Sequence, residues 1–306
     1  LDIKQLHYFI SIVEEGSFSQ ASNRVHIAQP ALSLQVRKME EELQTKLLVR
    51  GPHGVQPTEA GRLLLTRART ILTSMKHAED DVRSLGHDPA GVVRIGLPGT
   101  ISTILSVPLI ARTRKNFPKI KIIIAEAMSG FVTEWLEESR VDLAVLYGEK
   151  QETRFVSVPL LREELVMLIP PETAGDCTTA EEALADMPLI LPSNTHGLRI
   201  MLEQKMRQRN IAIDPTIEVD SYGNIKRLVA SGYGCSILPY HSISKDIAEG
   251  SLACVRFGEP PLWRSAHLVH NFARPLTRAA QVVFDQIIQS VDDLIESNSW
   301  AGAERL

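Results

Sequence analysis

Three cysteines in 306 residues, Cys177, Cys235 and Cys254, stand far apart, with no Cys-x-x-Cys spacing and no histidine cluster beside them. That pattern excludes a disulfide framework and a zinc site, and it suits a reducing compartment. No apolar run approaches the ~20 residues a bilayer span requires, so a membrane is not among the expected partners. The N-terminus lacks a basic stretch followed by an apolar one, so no signal peptide is read and a cytoplasmic protein is expected. Strong charge of either sign is missing: the net charge of −4 does not by itself mark a nucleic-acid binder. Internal repeats and low-complexity tracts are absent. So are GxSxG, a P-loop, a GxGxxG opening a strand–helix turn, and HExxH. Gly232-Tyr233-Gly234-Cys235 follows a helical stretch and leads into an apolar one, which reads as a helix end and a tight turn. No enzyme, no cofactor and no metal site is expected.

What is present is ordinary for a soluble globular protein, 44% apolar and 23% charged, with length for about two domains. To about Gly54 the chain looks helical. Ile3, Leu6, Phe9, Ile10 and Val13 mark one face, Gly16 ends that helix, and Ser17 or Ser19 caps the next. Ala21, Val25 and Ile27 turn inward. Leu32, Val36, Met39 and Leu43 give a third helix one buried stripe. From Thr58 a long helix begins, and Leu64, Ala68, Ile71, Met75, Ala78, Val82 and Leu85 recur at steps of four and three. Such a heptad stripe favours a partner helix, the other reading being a helix laid on its own domain. The stretch GHDPAG, 86–91, is a hinge.

Strands and helices then alternate. Val92–Leu97, Lys121–Glu126 and Asp142–Leu146 read as strands, with helices at Thr100–Phe117 and Val132–Ser139; the pattern implies a parallel sheet. A second α/β unit has strands at Glu164–Ile169, Leu189–Leu191, Thr216–Val219 and Cys235–Leu238, with helices at Gly197–Gln208 and Tyr222–Ala230. Trp263–His270 adds a strand and Leu276–Ser297 a last helix.

On the third helix, Pro30, Ser33, Leu34 and Arg37 fall opposite the apolar stripe, and Gln29 lies on the flank. Pro30 suits a first turn. The helix start thus offers an amide, a hydroxyl and a guanidinium beside unsatisfied backbone N–H groups. Glutamine pairs with adenine, arginine with guanine or phosphate, serine with either, and an apolar side chain such as Leu34 touches a thymine methyl. A solvated face of a small helical bundle is the competing reading.

The strings SFSQAS, HIAQPALS, Met39-Glu40-Glu41-Glu42-Leu43, LLVR and GVQPTEAG together resemble the winged helix-turn-helix of LysR-type transcriptional regulators, and the likeness continues over essentially the whole chain. LPGTISTILSVPLI and EAMSG are similar to the nitrogen assimilation control branch. The resemblance implies an all-α N-terminal part, a linker helix and two α/β subdomains of periplasmic-binding-protein type. The implied divisions are 1–58 for DNA binding, 59–87 for the dimerisation helix, 88–91 for the hinge, 92–161 with 266–306 for subdomain I, and 162–265 for subdomain II. It places Gln29, Pro30, Ser33, Leu34 and Arg37 on a recognition helix in the major groove, and Leu64, Ala68, Ile71, Met75 and Val82 between protomers. The implied partners are a pseudo-palindromic double-stranded operator, a small-molecule effector, further copies of the chain as dimer or tetramer, and RNA polymerase. The wing departs from the family: in Arg50-Gly51-Pro52-His53-Gly54 only Arg50 is always charged, and His53 adds charge at low pH. Residues 1–70 hold nine basic against seven acidic side chains.

Two α/β units create a cleft where helix N-termini converge. Pro98-Gly99-Thr100, Met128-Ser129-Gly130 and Pro192-Ser193-Asn194-Thr195-His196 are turns at helix starts, suited to a carboxylate or other anion, or to plain capping. In the family these turns line the inducer pocket, which implies Thr100, Ser129, Ser193 and Thr195. Asp220, Ser221 and Tyr222 close the far side. His196 and Arg199 are either surface residues or set a preference for an acidic effector. Asp142 shows no partner in sequence. The alternative reading is a solute-binding module whose helical N-terminus is an oligomerisation arm that reads no DNA sequence.

Overall fold

A computed structural model of the chain describes residues 1–51, 54–85, 88–148, 154–175 and 179–306, without the side chains of 83, 84 and 129. The N-terminal part is α1 (Ile3–Glu15), α2 (Phe18–Val25) and α3 (Gln29–Leu43), then a wing of β1 (Leu48–Gly51) and β2 (Gly54–Pro57). The Asp2 carboxylate accepts the Gln5 N–H at 2.8 Å and the Gln5 side chain accepts the Asp2 N–H at 3.0 Å, a reciprocal cap that fixes where α1 starts. Gly16 ends it in the left-handed region, φ 61°. Its carbonyl accepts the Val55 N–H at 2.8 Å. A Cβ on Gly54 would come within 2.5 Å of the same oxygen, so the wing docks there only because that residue has none.

Leu6, Phe9, Met39 and Leu47 form one small core; Ile12, Phe18, Ala21, Leu32 and Val36 form another. Leu43 departs from the expected stripe. It is the last residue of α3, before Gln44 turns left-handed, and it is 38% exposed.

Thr58 caps α4 (Glu59–Ser84), its hydroxyl accepting the Gly61 N–H at 3.0 Å. The start of this helix belongs to its own chain. Leu65 and Ala68 are buried against Leu6 and Phe9, and Leu64 is half-buried beside them. Ala68 is therefore not free to meet a partner helix, a correction to the heptad reading. Ile71, Met75, Ala78, Val82 and Leu85 are exposed.

Beyond the hinge come β3 (Gly91–Leu97), α5 (Gly99–Asn116), β4 (Ile120–Glu126), α6 (Ser129–Glu137), β5 (Leu143–Tyr147) and β6 (Phe155–Ile169). Next are α7 (Ala180–Asp186), β7 (Ile190–Leu191), α8 (Gly197–Gln208), β8 (Ile217–Glu218), α9 (Tyr222–Ala230) and β9 (Ser236–Pro239). The chain closes with α10 (Ser244–Ala248), β10 (Ala253–Val255), β11 (Leu262–Asn271), α11 (Arg278–Glu296) and β12 (Ala303–Glu304). The main sheet runs β10-β6-β11-β5-β3-β4, with β9 and β12 also on β6. Strands β3, β4 and β5 form the expected parallel set and β7 and β8 a separate parallel pair, whereas β11 lies antiparallel between β5 and β6. That return strand comes from late in the chain, so its direction was not fixed by the local strand–helix alternation.

The long strands β6 and β11 run through both larger cores. One core draws its residues from Leu165 to Leu262; the other draws on Val93–Leu161 and then Ala266–Trp300. A third, with Val132, Leu136 and Val141, lies under α6. No helix among the described residues is long and apolar enough to cross a membrane.

Candidate functional site

Two places gather functional side chains. The first is α3. Its N-cap is Ala28, with no side-chain cap on the first N–H groups. Gln29, Pro30, Leu34 and Arg37 are exposed, and Ser33 is half-buried. Arg37 is held by Glu41 one turn on, Nε to Oε1 at 2.9 Å, which leaves its outer nitrogens free for a base edge or phosphate. Leu34 is 50% exposed, a large apolar side chain that the domain's own core does not use. In the wing, the Arg50 guanidinium stacks over the Phe18 ring at 4.9 Å, tying β1 to the start of α2. His53 lies outside the described residues. Glu40 sets the approach of the wing: its carboxylate accepts the Leu47 and Leu48 N–H groups at 2.9 and 3.3 Å and takes Lys46 at 2.7 Å.

The second place is a cavity of about 630 Å³ between the two larger cores. Pro98, Gly99, Thr100, Glu126 and Tyr147 line one side; His196, Asp220, Tyr222, Lys226 and His241 line the other. Thr100, His196 and Asp220 thus stand where the sequence put them. Ser193 and Thr195 do not line the cavity. Ser193 donates to Asp220 through N–H at 2.8 Å and hydroxyl at 3.0 Å, and its hydroxyl meets that of Thr195 at 3.3 Å, so this turn satisfies itself. Those bonds hold the Asp220 carboxyl below its usual range. Arg199 is neither a surface residue nor a cleft residue. It is buried, with Glu203 at 2.6 Å and Glu218 at 3.3 Å. The side chain of Ser129 lies outside those described.

The cleft floor is a buried ionic cluster. Glu163 on β6 and Arg264 on β11 are cross-strand partners at the point where these strands pass from one core to the other. Arg264 Nε donates to Glu163 Oε1 at 2.5 Å, and Nη2 donates to the Tyr147 hydroxyl at 2.8 Å and Thr100 Oγ1 at 3.2 Å. Its guanidinium carbon lies 3.8 Å from the centre of the Tyr147 ring. Tyr147 in turn donates to Glu163 at 2.8 Å. The other carboxylate oxygen accepts Trp300 Nε1–H at 3.2 Å and has His241 Nδ1 at 2.8 Å. Burial opposes ionisation of Glu163, yet Arg264 and His241 outweigh it and hold this carboxyl far below its usual range. Burial drives the Tyr147 hydroxyl well above its own. Three hydrogen-bond donors and a neighbouring imidazole on one carboxylate are the condition under which a buried charge is tolerated.

Sequence reasoning missed Tyr147, Glu163, His241 and Arg264. The available signal was a charged residue inside each of two strands that otherwise read as core, LLREELVMLI and PLWRSAHLVH. Asp142 also has partners: Oδ2 accepts the Arg94 N–H at 2.7 Å, and Oδ1 lies 3.2 Å from His77 Nε2. Cys254 is a free thiol and the buried Cys235 Sγ–H donates to the Ala183 carbonyl at 3.6 Å; no group of three or more His, Cys, Asp or Glu among the described residues is arranged to hold a metal.

Residues 3–62 match the bacterial regulatory helix-turn-helix protein family of the lysR type, and residues 86–292 match the LysR substrate binding domain. The chain is 32% identical to the nitrogen assimilation regulatory protein Nac of Klebsiella aerogenes over 95% of both chains. It is 35% identical to Nac of Escherichia coli K12 over 78% of both. In fold it is similar to a full-length OxyR variant from Pseudomonas aeruginosa, with TM-score 0.73, 22% identity and 95% and 94% of the two chains covered. It is likewise similar to full-length CbnR complexed with its target DNA, with TM-score 0.65, 19% identity and 96% and 99% covered. The helical N-terminal part is thus a DNA-binding domain and more than an oligomerisation arm. The chain belongs to the LysR family of DNA-binding transcriptional regulators.

Proposed function

We propose that the protein binds a pseudo-palindromic operator as a dimer or a dimer of dimers, with the starts of its α3 helices in successive major grooves. The observation that carries this is the set of exposed side chains, Gln29, Pro30, Leu34 and Arg37, around an uncapped helix start. Gln29 and Arg37 read base edges, Leu34 meets a thymine methyl, and the free N–H groups hold a phosphate. The exposed stripe Ile71, Met75, Ala78 and Val82 joins two α4 helices. Arg50, stacked on Phe18, supplies the wing's charge to the backbone.

The cavity between the two α/β units holds a small-molecule effector, and its chemistry favours an anion. The start of α5 at Gly99 has no side-chain cap, and Arg264 and Lys226 line the same space. Closure on an effector moves one unit against the other about β6 and β11. Selection from random-sequence DNA at two salt concentrations tests the first reading. An enriched dyad supports it; weak salt-sensitive binding without enrichment overturns the assignment of α3. Thermal-shift screening of small carboxylates against phosphate and neutral analogues tests the second.

A further inference from the structure

Helix α4 carries a second stripe that its pairing with another copy leaves unused. Arg69, Thr70, His77 and Asp81 lie on the side of the helix broadly opposite Ile71, Met75, Ala78 and Val82, at 3.6 residues per turn. They face the effector domain of their own chain. Arg69 Nη1 donates to Glu138 Oε2 at 2.6 Å, and the Thr70 and Ser139 hydroxyls meet at 2.9 Å. His77 Nε2 lies 3.2 Å from Asp142 Oδ1, and Asp81 Oδ1 accepts the Arg278 N–H at 3.1 Å.

This joint is polar throughout. Among the described residues, no buried apolar cluster includes both α4 and the effector domain. Four of these groups also have a second partner within their own domain. Arg69 lies 3.3 Å from Glu14, and Thr70 donates to the Thr66 carbonyl at 3.0 Å. Glu138 lies 3.8 Å from Arg140, and Asp142 keeps the Arg94 N–H. Breaking a buried ion pair costs most when it strands a charge without a partner. Here separation leaves Arg69, Glu138 and Asp142, the charged groups of these contacts, each with its own-domain partner, and domains meeting through polar surfaces of this kind move against each other.

We infer that the Arg69–Glu138, Thr70–Ser139 and His77–Asp142 contacts are a releasable latch holding the DNA-reading domain on the first α/β unit. The inference rests on the proposed pairing of α4, because its consequence is a division of labour. One face of α4 keeps two copies together. The other sets how far each reading head stands from its own effector domain, and so the spacing the dimer can read. Latch opening changes operator geometry without dissociating the dimer.

The test uses the full chain with Glu138→Gln, His77→Gln and the double substitution, neither residue lying in the α3 surface or the cleft. Hydrogen exchange over residues 66–82 and 136–142, small-angle scattering and sedimentation are read together. The latch predicts several-fold faster exchange in both segments and a larger radius of gyration in the double variant, with smaller effects in the singles and an unchanged oligomer. Unchanged exchange and scattering in folded variants overturn it. Dissociation accompanying faster exchange overturns the division between the two faces. A wild-type chain that sediments as a monomer refutes the pairing of α4 instead, while the exchange data still report on the latch.

Discussion

Arg264 and Glu163 face each other across the β6–β11 pair, Nε to Oε1 at 2.5 Å, with both side chains closed off from solvent. Since β6 and β11 are the strands shared by the two larger cores, this pair sits where the chain passes from one unit to the other. Glu163→Gln keeps the shape and leaves Arg264 with an uncompensated buried charge. It is expected to cost about 3–5 kcal/mol, the range for breaking one side of such a pair. Urea denaturation of the full chain measures it. A loss under 1 kcal/mol would mean that water reaches Arg264 and the floor is wet.

On the operator recovered by selection, Gln29→Ala and Arg37→Ala are each expected to lose ~1–3 kcal/mol of affinity, concentrated at one base position for each side chain. Ser33→Ala is expected to cost less, because that hydroxyl is half-buried. Gel-shift titration against single-base operator variants separates these effects. Affinity unchanged in all three variants sinks the recognition-helix assignment.

Ile71→Glu or Met75→Glu puts a charge in the proposed α4 seam, where each side chain is nearly half-exposed in the single chain. The expected outcome is dissociation in analytical ultracentrifugation at micromolar concentration, with helix content retained. An unchanged oligomer would place the contact between copies elsewhere. Ala68→Glu is expected to unfold the DNA-binding domain instead, since that position is sealed inside one chain.

His196 caps α8, its Nδ1 accepting the Leu198 N–H at 3.1 Å. Burial lowers its proton affinity below that of an ordinary histidine, and a protonated ring cannot accept that bond. The folded state therefore binds this proton less readily than the unfolded chain. The stability His196 contributes is complete above about pH 6.5, its unfolded value, and is lost as pH falls through the depressed folded value. Melting temperatures between pH 5 and 8 should fall with pH more steeply in the wild type than in His196→Gln. Parallel curves would remove His196 from the account.

The sequence made the local elements plain and left the long-range ones obscure. The helices Gly197–Gln208 and Tyr222–Ala230 occur at those same bounds, because capping and periodicity are local properties. Strand β6 was legible only from Glu164 onward. Its first half is interrupted by Pro159, a residue that argues against a strand interior, and its pairing with β11 joins residues about a hundred positions apart. The cleft turns illustrate the same limit. Thr100 and Ser193 look equivalent in sequence, each a hydroxyl at a helix start. One reaches the cavity and the other closes on Asp220, and tertiary placement alone separates them. The heptad stripe likewise holds two kinds of position: Ala68 belongs to its own core, whereas Ile71 and Met75 do not.

The two larger cores differ in how the ribosome delivers them. Every residue of the Leu165–Leu262 core is contiguous, so it can close as soon as that stretch has emerged. The core that begins at Val93 stays open until Ala266, Leu268, α11 and finally Trp300 arrive. During synthesis the earlier-encoded unit therefore finishes last, after the DNA-reading helices and the second unit have formed. A nascent chain that stalls between Val269 and Trp300 already has a reading head, but its Glu163 still lacks Trp300.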